Sequence, residues 1–241
     1  MMAGTSEIKA LVFDVFGTVV DWRSSLIADF TVYGAERGLS GDWTALVDAW
    51  RGAYVPSMNE VRQHPERGFV ILDDLQRQSV VGLAERLGIK GLTDADYDYL
   101  TGGWQRLKPW PEVVAGLARM KTKFIIAPLS NGNVSLMTHL AKNAGLPWDA
   151  IFGADLFGHY KPDPETYLGA IRLLSMRPEQ VMMVAAHNYD LAAARSHGMK
   201  TGFVPRITEY GPHQNKDFTA EADWDVVADG FGDLADQLGC A

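Results

Sequence analysis

The feature that most constrains the fold of this chain is an alternation between short apolar runs and stretches with helical periodicity. The apolar runs have the length of strands and lack a polar residue at every second position, which is typical of parallel strands covered on both faces. They span residues 10–16, 124–129, 181–186, 201–204 and 224–227. This pattern predicts an α/β protein with a doubly wound, Rossmann-like parallel sheet.

One long stretch, residues 21–103, interrupts the alternation. Its apolar residues recur at helical spacing, as in Leu46, Val47, Trp50 and Tyr54, and it contains no convincing buried strand. A helical unit inserted directly after the first strand would lie over the carboxyl ends of the strands, where open α/β sheets bind ligands. We therefore expect an α/β core domain of residues 1–20 and 104–241 and a helical cap domain of residues 21–103. A second domain with a purely structural role is the alternative.

Composition excludes several classes of function. The net charge of −8 argues against a nucleic-acid-binding protein, because contacts to the phosphate backbone need clustered Lys and Arg. The first ten residues are too polar for a signal peptide, and the apolar run that follows is short and contains Asp14. We therefore expect a cytoplasmic protein with no membrane partner. The single cysteine, Cys240, allows neither a disulfide nor a cysteine-based metal site within one chain.

Polar residues follow several of the predicted strands. Asp14 ends the first one, and it is followed by Gly17, which permits a tight turn, and by Thr18, whose hydroxyl can orient the carboxylate. The other polar clusters are Ser130-Asn131-Gly132, His159-Tyr160-Lys161 and His187-Asn188-Tyr189-Asp190. In a doubly wound sheet these segments can converge on one crevice, so the sequence predicts a site at that edge.

Taken in this order, the clusters resemble the four motifs of the haloacid dehalogenase superfamily, with Asp14 as nucleophile, Ser130 as hydroxyl, Lys161 as lysine and Asp190 as acid. The resemblance covers residues 8 to 206 and implies the core and the inserted cap. Most members are Mg²⁺-dependent phosphatases, which carry a second aspartate two residues after the nucleophile and an acidic cluster after the fourth strand. Here the first position is Phe16, and the second stretch has one carboxylate, which is few ligands for a hard divalent cation.

The segments 13–18 and 129–132 are instead similar to those of the (S)-2-haloacid dehalogenases. A halide ion is a stable leaving group, so Phe16 in place of a proton donor is no obstacle. The resemblance implies hydrolysis of short anionic 2-haloacids, (S)-2-haloacid to (R)-2-hydroxyacid plus halide, through an aspartyl ester and with no metal or cofactor. A Mg²⁺-dependent phosphatase of the same superfamily is the alternative. The family often forms dimers, and a homodimer is compatible with the sequence.

The nucleophile and the substrate carboxylate both need partners. A nearby cation, for which Lys161 is the candidate, would hold the pKa of Asp14 low. The backbone amides of Val15 and Phe16, together with Ser130 and Lys161, are candidate anchors for the substrate carboxylate. For Ser130, a role as a simple turn residue is the alternative.

The leaving halide needs a cationic or N–H-rich pocket with apolar walls. In the family an arginine from the first cap helices provides it, and the resemblance implies Arg51 for this role, with Asn131 and Phe69 completing the pocket. Arg62 and Arg67 are the alternative arginines.

Hydrolysis of the ester requires an activated water. Asp190 is the carboxylate implied by the family motif, but His187 stands where the dehalogenases commonly have asparagine, and a histidine is well suited to act as general base. We therefore hypothesise that His187 activates the water, with a carboxylate such as Asp21 or Asp190 orienting it, and with a structural histidine as the alternative. Asn188 is a candidate substrate contact. Tyr167 matches a family tyrosine of the site, although it also fits the core stripe of its helix.

Overall fold

The described part of the chain, residues 8–241 of a computed structural model, is built on parallel strands enclosed by helices. The strands are β1 (Ala10–Phe13), β2 (Val20–Asp21), β3 (Lys108–Pro109), β4 (Ile125–Ser130), β5 (Phe152–Gly153), β6 (Val181–Ala185), β7 (Lys200–Phe203) and β8 (Val226–Val227). Residues 1–7, which carry most of the segment weighed as a signal peptide and begin the predicted core domain, lie outside the described residues.

Six of these strands form one sheet in the order β5-β4-β1-β6-β7-β8, and each neighbouring pair in it is parallel. The predicted α/β fold class is therefore confirmed. Every predicted strand is present, but β1 ends at Phe13 and not at residue 16, because the chain turns after Asp14 donates its backbone N–H to Val184. The two-residue strand β5 was not predicted, since two residues leave no periodicity to detect.

Helices cover both faces of the sheet. They are α1 (Trp22–Arg37), α2 (Trp43–Gln63), α3 (Leu72–Arg86), α4 (Asp94–Gly102), α5 (Val113–Lys121), α6 (Val134–Ala144), α7 (Pro164–Leu173), α8 (Asn188–Ser196) and α9 (Phe231–Gln237). In β1, Leu11 and Phe13 pack with α5, α6 and α9, whereas Ala10 and Val12 pack with α7 and α8. All four side chains are buried, which explains the unbroken apolar run of this strand.

The stretch that interrupts the alternation forms helices α1 to α4, and residues 22–107, all of which are described, contain no strand. Its two ends are held together by the antiparallel pairing of β2 with β3, in which Val20 faces Pro109. Aromatic side chains fill the interior, where Trp50 lies between Phe30 and Trp104 at centroid distances of 6.2 and 5.6 Å. None of the helices within residues 8–241 has the length and hydropathy needed to span a bilayer.

The sheet order determines where a site can form. Strand β1 lies between β4 and β6, and the chain continues outward from β4 to β5 on one side and from β6 to β7 on the other. This reversal opens a crevice at the carboxyl ends of the central strands. Asp14, Asn131 and His187 follow β1, β4 and β6 within two residues, so the topology brings these three residues to one edge.

The contact between α5 and α9 depends on a small residue. A Cβ atom on Gly116 would lie 2.6 Å from Phe231 Cβ and 2.8 Å from its carbonyl carbon. We expect Gly116→Ala to lower the free energy of unfolding in urea by about 1–3 kcal/mol through overpacking. The matched variant Gly82→Ala, exposed on α3 with no atom near the new methyl group, should raise it by about 0.5–1 kcal/mol. Equal stabilities for the two variants would contradict this packing.

Candidate active site

The carboxylate of Asp14 is the centre of the site, and three donors surround it. Its Oδ1 accepts a hydrogen bond from Lys161 Nζ at 3.0 Å, and its Oδ2 accepts one from the Thr18 hydroxyl at 2.7 Å. The same Oδ2 lies 3.0 Å from His187 Nδ1. Burial by itself raises the pKa of Asp14, but Lys161 and His187 outweigh it and hold that pKa well below its ordinary range. The carboxylate is therefore ionised at neutral pH.

A tight turn presents this carboxylate. Gly17 has φ of +95°, a conformation that L side chains rarely adopt, and its N–H is donated to the Val20 carbonyl at 3.1 Å. The Thr18 hydroxyl that donates to Asp14 also accepts the backbone N–H of Ala186 at 2.9 Å, which connects the turn to the end of β6. The predicted contact of Thr18 with the carboxylate is present in the structure.

Lys161 lies between two carboxylates. Its Nζ donates to Asp14 and to Asp190 Oδ2, and its side chain is almost entirely buried. Tyr167 donates to the other oxygen of Asp190 at 2.5 Å, so this tyrosine is both part of the core and in contact with the site. Burial raises the pKa of Asp190, and the charge of Asp14 adds to the effect while Lys161 opposes it. Two carboxylates in one site thus have different proton affinities, and Asp14 is the more acidic.

Ser130 and Asn131 lie at the end of β4, on the other side of Asp14. Ser130 Oγ accepts the backbone N–H of Gly132 at 3.1 Å, and its hydroxyl hydrogen can still donate to a ligand. Asn131 Oδ1 accepts the backbone N–H of Lys161 at 2.7 Å, which fixes the segment that carries the lysine. Both side chains are buried beside the nucleophile candidate.

His187 contacts two carboxylates, one at each ring nitrogen. Nδ1 faces Asp14, and Nε2 lies 2.8 Å from Glu209 Oε2. A carboxylate does face the ring, but it is neither of the two named as examples, Asp21 and Asp190. Asp21 caps helix α1 by accepting the N–H of Ser24, and both oxygens of Asp190 are hydrogen-bonded to Lys161 and Tyr167.

Glu209 is the site residue that sequence reasoning missed. It lies in the loop after β7, six residues beyond Phe203, and is 1% exposed. Its Oε1 accepts the indole N–H of Trp22 at 2.9 Å and lies 3.7 Å from Arg51 Nη2. The sequence feature that could have indicated Glu209 is its position after a buried strand. The loop has no local pattern, however, that distinguishes Glu209 from a solvent-exposed glutamate.

Arg51, on helix α2, brings a cation from the inserted helices to the site. Its guanidinium group lies 4.3 Å from the ring centre of Tyr54 and 5.3 Å from that of Trp22. The Tyr54 ring is in turn 6.2 Å from that of Phe16, which follows the nucleophile candidate by two residues. Arg51 Nη1 is buried, and within residues 8–241 it has no hydrogen-bond partner. An unsatisfied buried cationic donor of this kind is suited to an anion.

The remaining predicted residues lie in other surroundings. Arg62 pairs with Asp163 at 2.5 Å, and the alternative arginine Arg67 pairs with Glu60 at 3.1 Å. Both of these arginine side chains are far more exposed than that of Arg51. Phe69 packs against the ring of Tyr160 at 4.8 Å and lines a surface cleft of about 750 Å³ that also includes Arg62.

Asn188 has a different role from the predicted substrate contact. Its Nδ2 donates to Asp217 Oδ1 at 2.9 Å, and its Oδ1 accepts the indole N–H of Trp224 at 2.9 Å. These hydrogen bonds attach the start of α8 to the loop that precedes β8. Because both polar atoms of the side chain are used in this way, they are not available to a substrate, contrary to the prediction.

The arrangement does not fit a divalent cation. Among residues 8–241, no three His, Cys, Asp or Glu side chains are grouped so as to hold a metal ion. Two carboxylates of the site, Asp14 and Asp190, are both hydrogen-bonded by the ammonium group of Lys161. Hard cations such as Mg²⁺ need about six oxygen ligands, and a lysine between the carboxylates opposes their use for that purpose.

Comparison with known proteins gives a consistent result. A family model described as haloacid dehalogenase-like hydrolase matches residues 8–198. The (S)-2-haloacid dehalogenase of Xanthobacter autotrophicus is 30% identical over 84% of this chain and 77% of its own length.

Two solved structures are more similar still. The L-2-haloacid dehalogenase PA0810 is 50% identical, with a TM-score of 0.93 over 96% of this chain and 98% of its own. The defluorinating L-2-haloacid dehalogenase Rha0230 is 43% identical, with a TM-score of 0.92 over 96% of this chain and 95% of its own.

The two carboxylates that flank His187 predict an unusual dependence of stability on pH. Burial works against the charged imidazole, but Glu209 and Asp14 outweigh it and raise the pKa of His187 to about 10. The folded-state pKa thus exceeds the ordinary value of 6.5, so this stabilisation is fully present below about pH 6.5 and is lost as the pH rises towards 10.

Between pH 7 and 10 we expect the free energy of unfolding of the wild type to fall by at least about 1 kcal/mol more than that of His187→Asn. Denaturant unfolding at several pH values measures this difference. The control variant His213→Asn, at an exposed site, should follow the wild type. Identical pH slopes for the wild type and His187→Asn would contradict the assignment of charge to His187.

Proposed function

The chain belongs to the haloacid dehalogenase-like hydrolases, and on that premise we propose that it hydrolyses short (S)-2-haloalkanoic acids to (R)-2-hydroxyacids and halide through an ester on Asp14. The observation that carries the proposal is an ionised, buried carboxylate at the end of the central strand, with a phenylalanine two residues later. The carboxylate can displace a halide from carbon. Phe16 cannot protonate the alkoxide that a phosphate monoester would release.

In the first step, a carboxylate oxygen of Asp14 forms a bond to the halogen-bearing carbon, and the halide leaves with the electron pair of the broken bond. Thr18 and Lys161 hold the carboxylate in one orientation. The hydroxyl of Ser130 and the backbone amides of Val15 and Phe16 are the proposed donors to the substrate carboxylate.

Arg51 is the proposed receptor of the halide. Its unsatisfied, buried Nη1 offers a charged donor, and the rings of Tyr54 and Trp22 supply apolar walls around it. Asn131 stays a proposed neighbour of this pocket. Phe69 is left out because its ring packs on Tyr160.

In the second step, a water molecule attacks the carboxyl carbon of the Asp14 ester, and His187 Nδ1 takes up a proton from it. The bond between that carbon and the ester oxygen then breaks, and the hydroxyacid leaves with the proton on its oxygen. The second proton of the water passes to His187 Nδ1 when the carboxyl group of Asp14 ionises again, which restores the imidazolium of the free enzyme. Asp190 acts in this scheme by holding Lys161 in place.

The phosphatase alternative is disfavoured by the same residues. Besides lacking a proton donor at Phe16, the site has both of its motif carboxylates bonded to Lys161. We propose that the enzyme needs no metal. Helices α1 to α4 act as a cap in this proposal, because they contribute Trp22 and Arg51 to the contacts of Glu209. The cytoplasmic location and the homodimer stay part of the proposal.

The first experiment follows halide release in excess EDTA. We expect release from chloroacetate and from (S)-2-chloropropionate but not from the (R) enantiomer, and a loss of at least about 10³-fold in Asp14→Asn because the nucleophile is gone. The control Asp94→Asn, fully exposed at the start of α4, should retain wild-type release. Fluoroacetate is the next substrate, given the similarity to Rha0230. Mg²⁺-dependent release of phosphate without any halide release would establish the phosphatase alternative instead.

A second prediction concerns the halide pocket. The planar guanidinium group of Arg51 packs over Tyr54 and Trp22 and still has its Nη1 free to bind an anion. A lysine at this position keeps the positive charge but cannot do both. We expect Arg51→Lys to lower kcat/KM for chloroacetate by about 10–100-fold. Arg67→Lys, the same change at an exposed arginine, should leave it unchanged. Equal effects of the two substitutions would remove Arg51 from the pocket.

A further inference from the structure

Glu209 occupies a position built to hold a carboxylate against His187. One oxygen faces Nε2 of the ring at 2.8 Å, and the other accepts the indole N–H of Trp22 at 2.9 Å. The side chain is 1% exposed. A buried carboxylate is costly unless its oxygens are hydrogen-bonded and paired with cations, and both conditions are met here by His187, Trp22 and Arg51.

The turn after the nucleophile leaves room for this side chain. A Cβ atom on Gly17 would lie 2.3 Å from Glu209 Cδ, so no larger residue fits there while Glu209 stays in place. The glycine of the first motif thus serves two purposes, a positive φ and close contact with the carboxylate behind His187.

We propose that Glu209 is a positioning residue: it receives the N–H of His187 Nε2, so that Nδ1 is the nitrogen that faces the Asp14 carboxyl group and takes up the proton of the hydrolytic water. This inference rests on the proposed function and adds to it the residue that determines which ring nitrogen serves as base. Glu209 acts through His187 and does not contact the substrate.

The charges around the ring explain when it can act. In the free enzyme His187 lies between the carboxylates of Asp14 and Glu209, and the aromatic ring of Tyr189 stacks on it at 5.8 Å. Each of these carboxylates also pairs with a second cation, Asp14 with Lys161 at 3.0 Å and Glu209 with Arg51 at 3.7 Å. A ring held protonated by two anions cannot accept another proton.

Formation of the ester changes this balance. Asp14 loses its charge, so that one of the two anions that favour the imidazolium is gone. Glu209 remains, but it shares its charge with Arg51 at 3.7 Å. The Nδ1 proton can then pass to solvent while the Nε2–H stays hydrogen-bonded to Glu209, so the ring becomes a base directed at the ester only after the ester exists.

The test compares ester formation with ester hydrolysis in Glu209→Gln. The glutamine amide can donate to Nε2 and so favours the tautomer with its proton on Nδ1, which cannot act as base. With chloroacetate we expect a burst of one halide per enzyme at close to the wild-type rate, followed by turnover about 10–100-fold slower. Intact-protein mass spectrometry should show the carboxymethyl ester on Asp14 accumulating. Because an anion is removed, the rising limb of the turnover–pH profile should move to lower pH.

A double-mutant cycle separates positioning from a merely structural role. If Glu209 acts through His187, then Glu209→Gln should have little further effect in a His187→Asn background. An equal loss in both backgrounds, or an equal slowing of burst and turnover, would overturn the inference. Glu209→Asp keeps the negative charge. It should therefore hydrolyse the ester faster than Glu209→Gln and have the rising limb of its turnover–pH profile at the wild-type pH.

Two further outcomes, an inactive wild type and an unfolded Glu209→Gln variant, can be told apart from a failure of the inference. A wild type that releases no halide contradicts the proposed function and not the pairing of Glu209 with His187. If Glu209→Gln does not fold, as thermal unfolding would reveal, the ¹⁵N spectrum of the wild-type His187 ring still decides. Both ring nitrogens should be protonated at neutral pH, and a ring without a proton on Nε2 overturns the inference.

Discussion

The site depends on a row of buried charges of alternating sign. It runs from Asp190 through Lys161, Asp14 and His187 to Glu209, and it ends at the guanidinium group of Arg51. Three anions alternate with three cations, so each charge inside the row has an opposite charge on both sides. Isolated, any of these ions would carry a large desolvation penalty in the interior, and together they compensate one another.

The row also explains why the fold and the site depend on each other. Its members come from the ends of β1 and β6, from the first turn of α8, from the loops before α7 and after β7, and from helix α2 of the inserted stretch. Loss of one partner would leave a buried charge uncompensated, which is costly. The inserted helices therefore contribute to the electrostatics of the nucleophile, because Arg51 and Trp22 stabilise Glu209 together with His187.

The fold and part of the site could be predicted because they have local signals. The buried strands produce unbroken apolar runs, and Asp14, Ser130 and His187 follow such runs directly. Glu209 could not be predicted in this way, because its partner His187 is 22 residues away, with α8 and β7 between them, and the loop that carries Glu209 has no periodicity. Local reasoning also produced the error at Asp21, which is near Asp14 in sequence but serves as a helix cap.

The alternating row has a consequence for the order of the chemical steps. The proposed substrate is an anion, and the protein has a net charge of −8, so attraction must come from local groups such as the unsatisfied Nη1 of Arg51. When the ester forms, the row loses the charge of Asp14 and its remaining members carry one net positive charge. The same event removes one of the two anions that keep His187 protonated. In the proposed mechanism, covalent attack therefore produces the electrostatic conditions that hydrolysis of the resulting ester requires.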